Sequence, residues 1–102
     1  MVVEYIRYRV PAERHDEFEG AWSSAQTVLQ EAPQCVAYEV ARGVEEPDNY
    51  VVRIEWRSLE EHEQGFRRSA AFRSFFAAVK PFFVMANDGN LANRTDVFAA
   101  SF

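Results

Sequence analysis

One stretch of the chain, residues 53–76, holds most of the side chains that could do chemistry. The imidazole of His62 has an ordinary pKa of about 6.5, so it can take a proton from a weakly acidic group near neutral pH. Arg53 and Glu55 offer a second arrangement, in which the guanidinium stabilises an oxyanion and the carboxylate accepts the proton. Both arrangements predict proton abstraction, and the sequence leaves the choice between them open.

Aromatic side chains accompany these polar groups at helical spacing. An aromatic wall can hold a flat ring by stacking and burial, so these side chains are candidates for substrate binding. The predicted lining consists of Trp22, Phe66, Phe72 and Phe76, together with His62. Arg67 and Arg68, between the aromatic positions, are interpreted as a solvated helix face.

The usual ligand sets for metals and phosphates are missing from the sequence. His62 and Glu63 begin the HExxH pattern of zinc proteases, but Phe66 occupies the position of the second histidine. Cys35 is the single cysteine, and neither a glycine-rich phosphate loop nor a GxSxG motif is present. We therefore expect no metal, haem or flavin, and no cofactor of any kind.

The length and composition of the chain limit the kinds of partner that we expect. The 102 residues are enough for one domain, which we assign to residues 1–102, and 16 acidic against 11 basic residues give a net charge of −5. A negative field repels the nucleic acid backbone, so nucleic acid is not expected as a partner. With no apolar run of about 18 residues and no secretory leader, we expect no membrane span and a cytoplasmic location.

The elements that position these residues follow from periodicity. Residues 50–57 alternate with a period of two, and so do residues 2–10, 35–42 and 91–99, which predicts four strands. A helix is predicted over 12–31, up to Pro33. A second helix begins at Ser58 with Glu61 as a capping box, weakens at Gly65, restarts at Ser69 and runs to Pro81. In the strands the predicted core-facing residues include Val36, Tyr38, Val40, Tyr50, Val52, Ile54 and Trp56.

The order βαββαβ predicts an α+β, ferredoxin-like fold with a four-stranded antiparallel sheet and both helices on one face. The other face then carries a mixture of apolar and charged side chains, namely Tyr5, Arg7, Ala37, Glu39, Val51, Arg53 and Glu55. Such a face is too apolar to be plainly solvated and too charged to be a dry core. Sheet-to-sheet pairing of two copies would enclose it, which predicts a homodimer.

Four short motifs resemble those of the antibiotic biosynthesis monooxygenase family. They are the strand CVAYE, the acidic turn EEPDN, the strand end EWRS and the helical SAAF. The resemblance implies a dimeric α+β barrel and oxygenation of a phenolic, quinol or polyketide-like aromatic molecule without metal or flavin. In the haem-degrading branch a histidine occupies the position of Phe76, so haem degradation is not expected. The alternative is a non-catalytic small-molecule binding or dimeric accessory protein on the same fold.

Overall fold

The computed structural model describes residues 1–86 and 94–99, with side chains described for residues 1–82 and 95–99. Four antiparallel strands form one sheet in the order β2-β3-β1-β4, which confirms the predicted ferredoxin-like fold. The strands are β1 (Val2–Arg9), β2 (Cys35–Arg42), β3 (Asn49–Trp56) and β4 (Arg94–Ala99). The two long helices are α1 (His15–Glu31) and α2 (Ala70–Ala86).

Both helices pack on the same face of the sheet, which we call the inner face. The β3 side chains on this face are fully buried, as the alternation predicted: Tyr50, Val52, Ile54 and Trp56 are between 0% and 2% exposed. The α1 stripe that meets them consists of Phe18, Trp22, Ala25 and Leu29. Burial of these apolar surfaces is the main stabilising term for a domain of this size.

The α2 helix does not end at Pro81, contrary to the sequence-based expectation, but continues to Ala86. Proline lacks the N–H that would continue the helical ladder, so an interior proline normally kinks or ends a helix. Here Pro81 is exposed, whereas Phe82, the next residue, is 1% exposed and packs edge-on against Phe18 at 5.0 Å. Tertiary packing beyond the proline therefore favours the helical turn over local propensity.

A β-bulge changes the predicted orientation of side chains at the start of β2. The pairing register with β3 shifts between Cys35 and Ala37, so one extra residue breaks the period of two. As a result Val36, predicted to face the core, is 56% exposed, and Cys35 packs against the core instead. Tyr38 and Val40 face the core as predicted.

Two serines organise the segment between β3 and α2. The Glu61 N–H donates to Ser58 Oγ at 3.0 Å, as the capping box predicted, and a π-helical segment follows at Glu61–Phe66. The Phe72 N–H donates to Ser69 Oγ at 3.2 Å, so Ser69 caps the start of α2 and confirms the predicted restart. The second helical region is therefore two pieces, each with its own side-chain cap.

Replacing Ser69 with Ala should lower the free energy of unfolding by about 1 kcal/mol, because the first turn of α2 loses the acceptor for the Phe72 N–H. Ser74→Ala, at an exposed position within α2, is the matched control and should change stability by less than about 0.5 kcal/mol. Urea denaturation of both variants measures the difference. Equal stability of the two variants would contradict the capping role.

Candidate functional site

A cavity of about 260 Å³ lies between the inner face of the sheet and the second helical region. Most of its lining residues are aromatic or aliphatic, and a few have ionisable side chains. Four residues predicted from the sequence line it, namely His62, Phe66, Phe72 and Phe76. Among its described lining residues, Glu4 is the acidic and Arg67 the basic side chain besides His62. An apolar pocket with a few convergent polar groups is the usual form of a small-molecule site.

The aromatic wall is built from ring contacts between β3, the π-helical segment and α2. The ring of His62 stacks on Trp56 with centroids 4.7 Å apart and an interplanar angle of 22°. Phe66 packs on the same indole at 4.9 Å, and Phe72 stacks on Phe76 at 5.7 Å. These contacts fix the orientation of the imidazole and leave flat apolar surfaces beside it.

The π-helical segment carries two of these rings, which share one partner. The Arg67 N–H donates to the carbonyl of His62 at 3.1 Å, which is the wide spacing of a π-helical turn. Within this segment His62 and Phe66 are both buried and both contact Trp56. Such π-helical turns are frequent at functional sites.

A buried carboxyl group lies beside the imidazole. Glu4, on the inner face of β1, accepts a hydrogen bond from the Trp56 indole N–H at 3.1 Å. The same oxygen, Oε1, lies 3.5 Å from His62 Nε2, and the Glu4 and His62 side chains are 13% and 8% exposed. The other ring nitrogen, Nδ1 of His62, is buried and has no hydrogen-bond partner among the described residues. The cavity wall thus contains an acid and a base in contact.

Burial shifts both groups toward their neutral forms. Desolvation raises the pKa of Glu4, and the indole hydrogen bond and the positive charge of Arg67 oppose that rise. Desolvation also lowers the pKa of His62, and the charge of Arg67 lowers it further, whereas Glu63 opposes the change. A neutral imidazole near pH 7 can accept a proton, which is the property that a general base requires.

Three residues predicted for the site lie elsewhere. Arg53 and Glu55 are on the opposite, outer face of the sheet, where they form an ion pair at 3.0 Å and the Arg53 guanidinium also bonds Tyr5. Trp22 is 2% exposed and packs against Tyr8 and Phe75, so it belongs to the core and is not among the residues lining the cavity. The two arrangements that the sequence left open, His62 and the Arg53–Glu55 pair, therefore lie on opposite faces of the sheet.

Sequence reasoning missed Glu4 and Arg67, the acidic and the basic residue of the described lining. Glu4 shares its strand face with Ile6 and Tyr8, so an acid at an inward position of β1 was the signal that could have found it. Arg67 was interpreted as solvated, and it is exposed, but it also borders the cavity. No pattern in the sequence predicts that position, because it depends on the π-helical turn.

Two further observations concern the described part of the chain. Within residues 1–86 and 94–99, no cluster of three His, Cys, Asp or Glu side chains could hold a metal ion. In the same part of the chain, no helix has both the length and the apolar character needed to cross a membrane.

Comparison with known proteins agrees with this architecture. The sequence model described as antibiotic biosynthesis monooxygenase matches residues 1–78. The uncharacterized protein YczJ of Bacillus subtilis is 26% identical over 83 residues, which cover 81% of this chain and 87% of YczJ. Two solved structures, candidate antibiotic biosynthesis monooxygenases of Bordetella bronchiseptica and Nitrosomonas europaea, each align with a TM-score of 0.77. The Bordetella bronchiseptica protein is 21% identical, and the alignment covers 99% of this chain and 97% of that protein's chain. The second is 12% identical and covers 100% of both.

Replacing Glu4 with Gln should raise the melting temperature at pH 7. The folded state raises the pKa of Glu4, so ionising this carboxyl costs stability at pH values above its folded pKa. Below about pH 4 the group is protonated in both the folded and unfolded states, and this cost disappears. The gain from the variant should therefore develop as pH rises above about 4 and level off once the pH exceeds the folded pKa of Glu4.

Calorimetric melting curves of Glu4→Gln and of the exposed control Glu45→Gln across that pH range test this. The amide oxygen of Gln can still accept the Trp56 hydrogen bond, so packing is matched. A gain that is independent of pH would show that the charge of Glu4 is not the cause.

Proposed function

The chain belongs to the antibiotic biosynthesis monooxygenase family, and from that premise we propose that it is a cofactor-independent monooxygenase of a phenolic, quinol or polyketide-like aromatic molecule. The observation that supports this most is the contact between Glu4 and His62 in the wall of an otherwise aromatic cavity. Such a cavity offers stacking for a ring and a proton acceptor for its hydroxyl group.

His62 is the proposed general base. Its imidazole is neutral near pH 7 because burial lowers its pKa, and its position is fixed by stacking on Trp56. Glu4, 3.5 Å from Nε2, is placed to stabilise the imidazolium that forms when His62 takes the substrate proton. In this arrangement the carboxylate of Glu4 orients the base, and the indole N–H of Trp56 donates a hydrogen bond to that carboxylate.

The substrate supplies the electrons in this proposal. Proton removal gives an electron-rich anion that transfers electrons to molecular oxygen, and a bond forms between oxygen and the activated ring carbon. Where that carbon is a CH₂ group, it is converted first to a hydroperoxide and then to a carbonyl group, C=O. The second oxygen atom of O₂ leaves as water. All four electrons come from the substrate, and the proton held by His62 returns to the departing oxygen. The protein contributes the base, the orientation and the exclusion of bulk water.

Non-catalytic binding of a small aromatic molecule on the same fold is the second candidate function. The observation that favours it is that His62 is well explained as a packing residue, since it is 6% exposed and stacked on Trp56. A binding protein would use the same aromatic wall and would need no proton transfer. The two functions differ in whether oxygen is consumed.

The outer face of the sheet supports the proposed homodimer. Phe98 is 50% exposed there and packs edge-on against Tyr5 at 5.6 Å, and Val51 is 36% exposed. The charges of this face pair within it, Arg7 with Asp96 at 2.8 Å and Arg53 with Glu55 at 3.0 Å. A face whose charges are compensated and whose apolar groups are exposed suits isologous pairing with a second copy.

Replacing His62 with Ala should lower oxygen uptake by metal-free protein about 100-fold or more, because the proton acceptor is lost. Substrates for the assay are a panel of hydroquinones and anthrones, with uptake followed by an oxygen electrode. Glu55→Gln, on the outer face, is the control and should keep its turnover.

The reverse result, with Glu55→Gln inactive and His62→Ala active, would place the chemistry on the outer face. If wild-type protein binds these phenols without any oxygen uptake, the binding function replaces the oxygenase.

Replacing Phe98 with Glu should convert the dimer into a monomer, because two like charges would enter the proposed interface. Val44→Glu, in a turn and 95% exposed, is the matched control and should remain dimeric. Light scattering coupled to gel filtration at micromolar concentration measures the mass. A monomeric wild-type protein, or a dimeric Phe98→Glu variant, would contradict pairing through this face.

A further inference from the structure

Arg67 places a positively charged side chain at the cavity. It is exposed, follows the buried Phe66 directly, and is one of the lining residues. Its guanidinium makes no hydrogen bond and no ion pair with any side chain in the described part of the chain. A guanidinium carries five N–H donors, and water or an anionic ligand can accept hydrogen bonds from them.

The positive charge of Arg67 acts on the interior of the cavity. It lowers the pKa of Glu4 and the pKa of His62, which shows that its field reaches both groups. By contrast, the adjacent Arg68 does not line the cavity and acts on neither of these two groups. Among the described lining residues Arg67 is the only arginine or lysine.

From this arrangement we infer that the cavity selects a small hydroxylated aromatic acid, with the ligand carboxylate bound by Arg67 and its hydroxyl group directed to His62 and Glu4. This inference rests on the proposed function and narrows its substrate class. Arginine suits this role because its planar guanidinium can donate two parallel hydrogen bonds to a carboxylate. The ring would lie against the aromatic residues that line the same cavity.

The cavity volume limits the size of that ring system. A cavity of about 150 Å³ holds one benzene molecule, and the volume here is about 260 Å³. One or two fused rings therefore match the enclosed space. A larger polycyclic skeleton would have to extend out of the cavity past Arg67.

Two carboxyl groups near the cavity oppose an anionic ligand. Glu4 accepts a hydrogen bond from the Trp56 indole N–H and lies 3.5 Å from His62, and Glu63 is exposed, where solvent screens its charge. Glu61 is occupied by an ion pair with Arg57 at 3.3 Å. The charge of Arg67 is the one that a ligand acid group at the cavity mouth would meet.

The test compares an acid and its neutral ester in two matched variants. The probes are a hydroxynaphthoic acid and its methyl ester, and their dissociation constants are measured by calorimetry and by quenching of indole fluorescence. Arg67→Gln should weaken binding of the acid about 10- to 100-fold, the loss typical of one charge-assisted hydrogen-bonded pair. It should change binding of the ester less than about 2-fold, and Arg68→Gln should leave both ligands unaffected.

Several results would overturn the inference. Equal affinity of wild-type protein for acid and ester, or equal losses for both ligands in Arg67→Gln, would show that Arg67 does not bind a carboxylate. In either case the proposed function would stand, because the ester still binds. If wild-type protein binds neither ligand, the proposed function and the inference both fail.

An Arg67→Lys variant provides a second test in case Arg67→Gln misfolds. It keeps the charge without the paired donors, and should retain part of the preference for the acid. Loss of the preference in Arg67→Gln with partial retention in Arg67→Lys, at unchanged melting temperatures, supports direct recognition. Full retention of the preference in both contradicts it.

Discussion

The buried carboxyl group of Glu4 is the constraint on which the rest of the site depends. A carboxylate enclosed by an apolar core is unfavourable unless polar groups compensate it. Here the indole N–H of Trp56 supplies a hydrogen bond, and the imidazole of His62 lies in contact. Each of the three side chains comes from a different element, so the position of strand β1 against β3 and the π-helical segment is specified by polar contacts as well as by packing.

The same contact links stability to proton transfer. A core of hydrophobic side chains alone would fold as well or better, because burying an ionisable group costs free energy. A group whose pKa is moved toward neutrality by burial is also what acid–base chemistry needs, and such groups concentrate at functional sites. The shifts of Glu4 upward and His62 downward therefore support a functional reading of a feature that stability alone does not require.

Much of the fold could be predicted from the sequence, because periods of two and of three to four residues mark buried faces directly. The inward set of β3 and the stripe of α1 are examples. Where prediction failed, tertiary effects prevailed over local pattern. A bulge exposed Val36, and packing of Phe82 carried α2 past Pro81. The proposed last strand begins at residue 91 in the sequence-based prediction, and residues 91–93 lie outside the described part of the chain.

The site was less predictable than the fold because it is assembled from separate elements. His62, Phe66, Phe72 and Phe76 could be nominated as helical neighbours, and all four line the cavity. Glu4 lies 58 positions before His62 in the chain, and only the sheet register and the π-helical turn bring them together. Trp22 shares the aromatic character of the site residues, but its position on α1 places it in the core.

The ionisation state of a bound phenol tests the central claim most directly. A nitrophenol, whose hydroxyl ionises near neutral pH and whose anion is coloured, can be titrated in the presence of saturating metal-free protein. If His62 accepts the hydroxyl proton and Glu4 stabilises the imidazolium, the bound ligand should ionise at lower pH than the free ligand, and His62→Ala should lose this lowering. An apolar cavity without a proton acceptor disfavours the anion. Ionisation of the bound phenol at the same pH as free phenol, or at higher pH, would contradict the account.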